Sequence, residues 1–410
     1  MDDEHLAEFA KTCAMGENGV MADLERILTL WRELESAGRD YVLATVIAVE
    51  GPSYRKPGAF MLLSADGRRA GTVSGGCLEA QVAQRAWWLT ENGPTIQRYS
   101  TVEDDGDRPF GSGCGGVVSL LLARRATTGR LLEALAEAFE QRVPMAIATV
   151  LEGERLGLGV AVISAPEETP GHEAVGGARD ELDAQLRNLA NEALRTRSSF
   201  ERKIGSGETG VRVWVDFRLE RPSLGVFGAG NDVQPLVRMA KELGWFVWVA
   251  DGRSHLVTRE RFPTADELST LPVVDGDGIP LVQWTATFPG FRSRDAVVVM
   301  THSFEQDARI LAFLLTLKSP PAYIGVLGPQ RRTRELLWAA AGILHLPAHA
   351  QAAQVEGWLE KLHAPMGLDL GAESPETIAL AVLAEIQKLR TSATALPLRE
   401  VRAVPVVFSR

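Results

Sequence analysis

The sequence predicts an α/β protein, with a mixed α/β N-terminal domain followed by a C-terminal Rossmann-like domain built on a doubly wound parallel sheet. In the second half, LGVFGAG (224–230) is an apolar run that ends in glycines, and a helical segment follows at 231–244. WFVWVAD (245–251) is then a second buried strand that ends in Asp. Strands that alternate with helices in this way indicate a parallel sheet covered on both faces.

The rest of the second half continues with further strands and helices. DAVVVMTH (295–302) and AYIGVLG (322–328) are strand candidates, and helices are expected at 306–317, 330–341 and 375–389. The segment before the last helix reads Ser-Pro-Glu. This predicts a helix start there, because Ser is a good N-cap and Pro suits the first helical turn. We interpret that helix as structural.

The first half is predicted to mix helices with strands. Residues 21–36 have the apolar spacing of an amphipathic helix, and YVLATVIAVE (41–50) is a β-branched strand candidate. Two runs at 58–64 and 69–74 flank an Asp-Gly turn, which is the sequence signal of a hairpin. Further helices are expected at 78–90 and 130–140, and further strands at 95–102, 117–123, 145–151 and 159–163.

The chain of 410 residues is long enough for two or three domains, each with its own core. We assign residues 1–164 to the N-terminal domain and residues 222–410 to the Rossmann-like domain. Between them, 165–221 is expected to be a polar linker or extension, with a helix near 179–196 and a strand at 211–217.

The composition of the chain argues against several classes of function. The net charge of −10 argues against general binding to nucleic acid or to an anionic membrane. The first residues, MDDEHLAEFA, do not resemble a signal peptide, and no run approaches the ~20 apolar residues of a membrane span. Three widely spaced cysteines, Cys13, Cys77 and Cys114, predict neither a disulfide framework nor a CxxC metal site. A cytoplasmic protein with reduced thiols is expected.

The turn after the strand at 224–230 carries a nucleotide-binding pattern. Gly228 and Gly230 allow close approach of the backbone to a phosphate at the start of the following helix. Asp251 lies 21 residues after Gly230, where a Rossmann domain places its ribose-binding acid. The third glycine position is Val233, so the turn could also be a plain packing corner. Arg253 leaves the choice between NAD and NADP open.

A second candidate for anion binding is the arginine cluster in LGPQRRTREL (327–336). Arg331 and Arg332 lie at the start of a predicted helix, where cations oppose the helix dipole and an anionic partner would help to explain them. Arginine suits bidentate binding of phosphate or carboxylate. The alternative is a solvated charged turn with Glu335 as the partner.

Two glycine–cysteine clusters, SGGCLE and FGSGCGG, are the third candidate site. Cys77 lies at a helix start, where a thiolate is stabilised, so it could be a nucleophile or a soft ligand. Ser74, Gly75 and Gly76 would present backbone amides to an anion. Cys114 lies between two glycines, which have no side chain that could block the approach of a ligand to the thiol. The alternative for either cysteine is a small buried apolar residue.

The remaining titratable groups give no catalytic residue. Glu79 is counted among the cofactor-binding residues of the SGGCLE cluster, as an acidic partner of the helix dipole in the first turn more than as an acid catalyst. His302 is the best placed histidine, because it follows a strand whose end would line the crevice of a doubly wound sheet. No metal-binding histidine pattern and no nucleophilic serine turn occurs in the sequence.

Six segments closely resemble the XdhC/CoxI family, the xanthine dehydrogenase accessory factors. EGPSYRKPGAFMLLSADGRRAGTVSGGCLEAQV resembles its N-terminal signature, and FGSGCGGVVSLLL resembles its second glycine–cysteine signature. Four further segments resemble the successive motifs of its C-terminal Rossmann domain. They are LGVFGAGNDVQPLV, DAVVVMTHSFEQD, AYIGVLGPQRRT and MGLDLGAESPETIALAVLAEI. Six motifs in the right order, over about residues 20 to 390, make the resemblance specific.

The resemblance implies a role in the maturation of molybdenum hydroxylases such as xanthine dehydrogenase or carbon monoxide dehydrogenase. Members of the family are expected to bind the molybdenum cofactor, protect it during sulfuration and deliver it to the apoenzyme. They would be chaperones rather than enzymes. The cofactor would be molybdopterin or its dinucleotide form, and the partners would be an apo molybdenum hydroxylase and a cofactor sulfurase. A homodimer is the expected assembly.

The resemblance also assigns site residues. Cys77 and Cys114 match the positions expected to contact the cofactor, and Cys77 would contact its molybdenum. Two departures from the family pattern stand out. Asn231 replaces the histidine that often follows GAG, and Pro329-Gln330 occupies a turn that often contains serine. Any role that depends on that histidine is therefore in doubt here.

Two other classes of protein remain as alternatives. An NAD(P)-dependent oxidoreductase would use the Rossmann-like domain and would need a proton donor near the glycine turn, for which His302 is the visible candidate. A thiol redox protein would use Cys77 and Cys114.

Overall fold

Three five-stranded sheets organise the described part of the chain, two of them antiparallel and one parallel. The structure, a computed structural model, describes residues 17–76, 78–100, 116–164, 172–174, 180–205, 210–271, 292 and 294–401. The chain divides into two compact units at Pro222 and Ser223, and Leu243–Trp245 belong to the first unit.

The first unit contains the two antiparallel sheets. Its helices are α1 (Glu17–Ser36), α2 (Glu79–Leu89), α3 (Arg125–Gln141) and α4 (Glu181–Thr196). Its first sheet, in the order β3-β2-β1-β5-β4, consists of β1 (Tyr41–Glu50), β2 (Phe60–Ser64), β3 (Arg69–Gly71), β4 (Thr95–Ser100) and β5 (Val117–Arg124). Its second sheet, in the order β8-β7-β6-β10-β9, consists of β6 (Met145–Val150), β7 (Gly159–Ser164), β8 (His172–Ala174), β9 (Phe200–Ile204) and β10 (Val211–Arg218).

Alternating residues of β1 divide the core of this unit. Tyr41 and Leu43 pack in one apolar cluster with α1 and α3, whereas Val42 and Ala44 pack in another with α2. This is the two-residue period of a strand buried on both faces. The first cluster also contains Ile147 of β6, so the two sheets share core contacts within the unit.

The stretch 165–221, expected from its polarity to be a linker or extension, contributes to the second sheet wherever it is described. The helix α4 packs its apolar face on this sheet, through residues that include Leu186 and Ala190. The strand β10 lies between β6 and β9 and pairs with both in antiparallel register. The polar residues of the stretch therefore surround elements that are integral to the sheet.

The second unit confirms the predicted Rossmann-like fold. Its sheet is parallel, in the order β13-β12-β11-β14-β15, and consists of β11 (Ser223–Phe227), β12 (Phe246–Asp251), β13 (Glu267–Thr270), β14 (Ala296–Val299) and β15 (Tyr323–Val326). Its helices are α5 (Val233–Glu242), α6 (Phe304–Thr316), α7 (Gln330–Ile343), α8 (Ala348–Leu359), α9 (Pro375–Thr391) and α10 (Leu398–Val401). The strand order reverses between β11 and β14, and ligands bind doubly wound sheets beyond the carboxyl ends at such a point.

The helices of the second unit cover its sheet in two groups. The α6, α7 and α8 helices share one apolar cluster with the sheet, in which Leu311, Leu337 and Trp358 are buried. The α9 helix packs against α5. Among the described residues, no helix combines the length and the apolar character that crossing a membrane requires.

Candidate functional site

The SGGCLE segment is organised by one buried carboxylate. Glu79, at the start of α2, is only 5% exposed. Its Oε1 accepts hydrogen bonds from the Val73 N–H (3.0 Å), the Ser74 N–H (2.9 Å) and the Thr72 hydroxyl (2.7 Å). Its Oε2 accepts the Gly76 N–H (2.9 Å) and the Ser74 hydroxyl (2.7 Å). Five donors thus hold the loop to the first residue of the helix.

These donors keep the Glu79 carboxyl ionised. Burial raises its pKa, but the hydrogen bonds from the Ser74 and Thr72 side chains and from the Ser74 N–H outweigh burial and lower the pKa to about 2. The residue therefore carries its negative charge throughout the neutral range. Glu79 lies in the first turn of α2, as the sequence indicated, and it acts there as a structural anion.

The amides predicted to receive an external anion have internal partners. The N–H groups of Ser74 and Gly76 donate to Glu79, and the Gly75 N–H donates to the Thr72 hydroxyl (2.8 Å). The cause is the bend made by Gly75 and Gly76, whose φ angles of 89° and 125° turn the loop back toward the helix start. The segment therefore encloses an anion of its own. Cys77, which follows Gly76, lies outside the described residues.

A second loop, 51–58, lies against this segment. A Cβ atom on Gly75 would come within 2.7 Å of Cδ1 of Tyr54, whose side chain remains 74% exposed. The buried Arg55 donates from Nε to the Thr72 carbonyl (3.0 Å) and forms an ion pair with Asp23 of α1. Arg55 therefore ties the two loops to the core, while Tyr54 presents an aromatic ring beside the glycine turn.

The end of the second glycine–cysteine signature reaches the same loop. A Cβ atom on Gly116 would overlap the carbonyl oxygen of Pro52, so only glycine fits at this crossing. Cys114 lies outside the described residues. The described flanks of both signatures, Gly75 and Gly116, thus contact loop 51–58.

In the second unit, the glycine turn after β11 lies beside the chain that follows β14. Gly228 has a φ of 131°, and a Cβ there would overlap the carbonyl oxygen of Met300. A Cβ on Gly230 would overlap Oδ1 of Asp232 and lie 3.8 Å from Cδ2 of His302. Gly228 is therefore needed for close backbone approach at the strand-order reversal, whereas Gly230 leaves room for the side chain of Asp232.

Asp251 closes this turn from the end of β12. The side chain is fully buried, and its Oδ2 accepts the Ala229 N–H (2.7 Å) and Nη2 of Arg253 (2.7 Å). Its Oδ1 accepts the Arg253 N–H (2.8 Å) and Nε (3.0 Å). Burial raises the pKa of this carboxyl, but the Arg253 and Ala229 bonds outweigh burial and lower the pKa. Asp251 thus has the predicted position, but its oxygens bind the protein's own donors instead of standing open to a ribose.

One residue at this turn has no signal in the sequence motifs. Nη2 of Arg261 donates to the Ala229 carbonyl (3.1 Å) and to Oδ1 of Asn231 (3.0 Å). Its Nε is buried without a partner, and none of the carboxylates described in the chain forms an ion pair with it. Arg261 is 31 residues beyond Gly230 and reaches the turn from the loop after β12.

His302 lies at the same edge of the sheet, as its place after β14 predicted. Its Nε2 is 2.8 Å from Oδ2 of Asp232, and 54% of its side chain is exposed. Its φ of 64° is uncommon for a non-glycine residue, and such backbone conformations concentrate at functional sites. The His302–Asp232 pair is therefore a candidate for proton transfer beside the glycine turn.

The two predicted anion-binding arginines differ in environment. Nη2 of Arg332 donates to Oδ2 of the buried Asp307 (2.7 Å), whose Oδ1 accepts the Thr301 hydroxyl (2.6 Å). Arg332 therefore connects α7 to Asp307 of α6, which in turn binds Thr301 just after β14. Arg331 is 88% exposed and lies 3.8 Å from Glu335, which is the solvated pair considered above as the alternative. Among the described residues, no group of three or more potential ligands is placed to hold a metal ion.

These features define a two-unit α/β protein in which a unit bearing a glycine–cysteine loop precedes a Rossmann unit. A family model described as the XdhC Rossmann domain matches residues 224–386, and one described as the XdhC and CoxI family matches residues 34–100. The chain belongs to the XdhC and CoxI family. The resemblance found in the sequence is thereby confirmed.

Relatives cover nearly the whole chain. It is 33% identical over 355 residues to a probable xanthine dehydrogenase subunit of Bacillus subtilis, and the match spans 85% of this chain and 93% of the relative. It is 24% identical over 373 residues to the molybdenum cofactor insertion chaperone PaoD of Escherichia coli, spanning 90% and 89% of the two chains. A crystal structure of a xanthine dehydrogenase from Bacillus halodurans superposes with a TM-score of 0.64 at 28% identity, covering 92% of this chain and 99% of that one.

Proposed function

We propose that this protein is an accessory chaperone that binds the molybdenum cofactor and delivers it to an apo molybdenum hydroxylase of the xanthine dehydrogenase or carbon monoxide dehydrogenase type. Family membership supports this role, and so does the match along 90% of the chain to a relative named as a molybdenum cofactor insertion chaperone. The structural observation that carries the proposal is the buried Glu79 clamp, which fixes the backbone immediately before and after Cys77.

The donor chemistry fits such a cargo. Molybdenum is thiophilic, and a thiol at the start of a helix is activated toward the thiolate that binds soft metals. In our proposal Cys77 contacts the metal and Cys114 assists. Glu79 supplies the internal anion that holds residues 72–76, and Tyr54 provides an exposed ring beside Gly75.

The proposal extends to partners and location. The cofactor is held as molybdopterin or as its dinucleotide, it is sulfurated while it is protected, and a cofactor sulfurase is a second partner. The protein works in the cytoplasm as a homodimer and turns over no substrate of its own.

The test is purification without oxygen from a host that makes the cofactor, followed by oxidation and measurement of pterin fluorescence. We expect the wild-type protein to carry pterin and Cys77→Ser to lose most of it. Cys13→Ser is the matched control and should retain it. Wild-type protein without pterin would contradict cofactor binding, and equal pterin in all three proteins would contradict the role of Cys77. Delivery is tested separately, by activation of the apo hydroxylase from the same organism.

The His302–Asp232 pair favours a second candidate, an NAD(P)-dependent oxidoreductase. Hydride transfer to or from a nicotinamide is commonly coupled to a proton transfer, and a histidine positioned by a carboxylate can supply it. The pair lies at the turn formed by Gly228 and Gly230, where a dinucleotide would bind. Titration with NADH and NADPH, followed by nicotinamide fluorescence, tests this candidate. Absence of binding at millimolar concentration would remove it.

A further inference from the structure

We propose that the carboxyl edge of the parallel sheet recognises a nucleotide through a phosphate on its ribose, and not through a free ribose diol. This inference rests on the proposal that the Rossmann unit binds a nucleotide, and it specifies the chemical class of that ligand. Three residues carry it: Asp251, Arg253 and Arg261.

Asp251 has no acceptor capacity left for a ribose. An ionised carboxylate offers about four lone-pair sites on its two oxygens. Arg253 occupies three of them through its N–H, Nε and Nη2, and the Ala229 N–H occupies the fourth. Because the carboxylate is also fully buried, a diol could reach it only by displacing the Arg253 side chain.

Arg253 covers the place where a ribose hydroxyl would otherwise bind. Its side chain is 40% exposed, and besides Asp251 its Nη2 contacts the Thr301 carbonyl (3.1 Å). Its Nη1 has no hydrogen-bond partner within the described part of the chain. An arginine at this position of a Rossmann domain accommodates a ribose phosphate.

Arg261 adds a second cation to the same turn. It contacts the carbonyl of Ala229, whose N–H donates to Oδ2 of Asp251, the oxygen that also accepts Nη2 of Arg253. Its Nε and Nη1 make no hydrogen bond to any residue that the structure describes. Of the two carboxylates of the turn, Asp251 is paired with Arg253 and Asp232 with His302, and neither pairs with Arg261.

The chemistry of these donors selects the ligand. A guanidinium binds a phosphate through parallel charge-assisted hydrogen bonds, whereas a ribose hydroxyl gains little from two cations beside a saturated carboxylate. The turn therefore suits a nucleotide that carries a phosphomonoester on its ribose, of which a 2′-phosphate is the form common among dinucleotide cofactors.

The test titrates the full chain with adenosine 2′,5′-bisphosphate and with adenosine 5′-monophosphate, and measures both dissociation constants by calorimetry at constant ionic strength. We expect the bisphosphate to bind at least tenfold more tightly. Arg261→Gln should reduce the ratio of the two dissociation constants to about threefold or less. The ratio for Arg261→Lys should lie between those of the wild type and Arg261→Gln. Arg238→Gln, which alters an exposed arginine of α5, is the matched control and should keep the full ratio.

The outcomes separate the two proposals. Equal binding of both nucleotides, or tighter binding of the monophosphate, would overturn recognition of a ribose phosphate and leave nucleotide binding intact. An undiminished preference in Arg261→Gln would overturn the assignment of Arg261. Binding of neither nucleotide would overturn nucleotide binding and the present inference together. None of these results alters the pterin test of cofactor binding.

Discussion

Glu79 accepts two hydrogen bonds from one residue, the N–H of Ser74 at 2.9 Å on Oε1 and its hydroxyl at 2.7 Å on Oε2. Ser74 lies before the glycines of the SGGCLE segment, and Glu79 is the first residue of α2. This bidentate contact closes the loop around position 77 from both ends. The stability of that loop therefore depends on a single buried charge, which makes Glu79 the most informative position for mutation.

The first prediction is that Glu79→Gln lowers the free energy of unfolding by about 3 kcal/mol, because an amide replaces charge-assisted acceptors and its NH₂ group faces N–H donors. Urea unfolding followed by circular dichroism measures the change. The control is Glu91→Gln, an exposed glutamate just beyond the end of α2, which should change stability by less than about 0.5 kcal/mol. Similar values for both variants would show that the Glu79 clamp does not stabilise the fold.

The second prediction concerns pH. The folded-state pKa of Glu79, about 2, lies below its ordinary value of 4.5, so its contribution to stability is fully present above about pH 4.5. That contribution is lost as the pH falls from about 4.5 toward 2. The difference in unfolding free energy between wild type and Glu79→Gln should therefore shrink over this window. Urea titrations at pH 7, 5, 4 and 3 measure it, and a difference independent of pH would contradict the assigned pKa.

Much of the fold could be predicted because it depends on apolar runs and glycines. The strand at 224–230, the glycine turn and the strand at 245–251 correspond to β11 and β12 with the expected parallel pairing. The edge strand β13 (Glu267–Thr270) was missed, since ELST contains no apolar run. The pairing of β10 with β6 was also missed, because the sequence indicates strands and not which distant strands pair.

The site was predicted less well, because its positions follow from the sequence but its hydrogen bonds do not. Asp251 and Arg253 were both recognised, yet only the folded backbone shows that one side chain saturates the other. The same holds for Glu79, which reaches the amides of Ser74 and Gly76 only after the glycines adopt positive φ angles. Arg261 was not predicted, since no motif links the loop after β12 to the glycine turn.

The third prediction is that Asp251 and Arg253 are energetically coupled. A double-mutant cycle with Asp251→Asn and Arg253→Gln should give a coupling of about 1–2 kcal/mol, a value reduced because the guanidinium is partly exposed to solvent. The control cycle uses Glu305 and Arg309, an i,i+4 pair on α6 in which the Glu305 side chain is 74% exposed, and should give about 0.3–0.5 kcal/mol. Urea unfolding of each set of four proteins measures both couplings. Equal couplings would contradict the role of Arg253 in compensating the buried charge.

The fourth prediction is that Gly228→Ala destabilises the second unit by more than about 2 kcal/mol and weakens nucleotide binding. Its φ of 131° disfavours any side chain, and the added methyl group would overlap the Met300 carbonyl, which cannot move without disturbing the end of β14. Gly93→Ala is the matched control, because Gly93 has a comparable φ of 119° but a methyl group added there would have nothing within 4 Å. It should cost less than Gly228→Ala and leave nucleotide binding unchanged. Thermal unfolding and calorimetry of both variants measure the effects. If the two alanines cost the same, backbone conformation alone would explain Gly228, and the close approach between the turn and Met300 would have no energetic role.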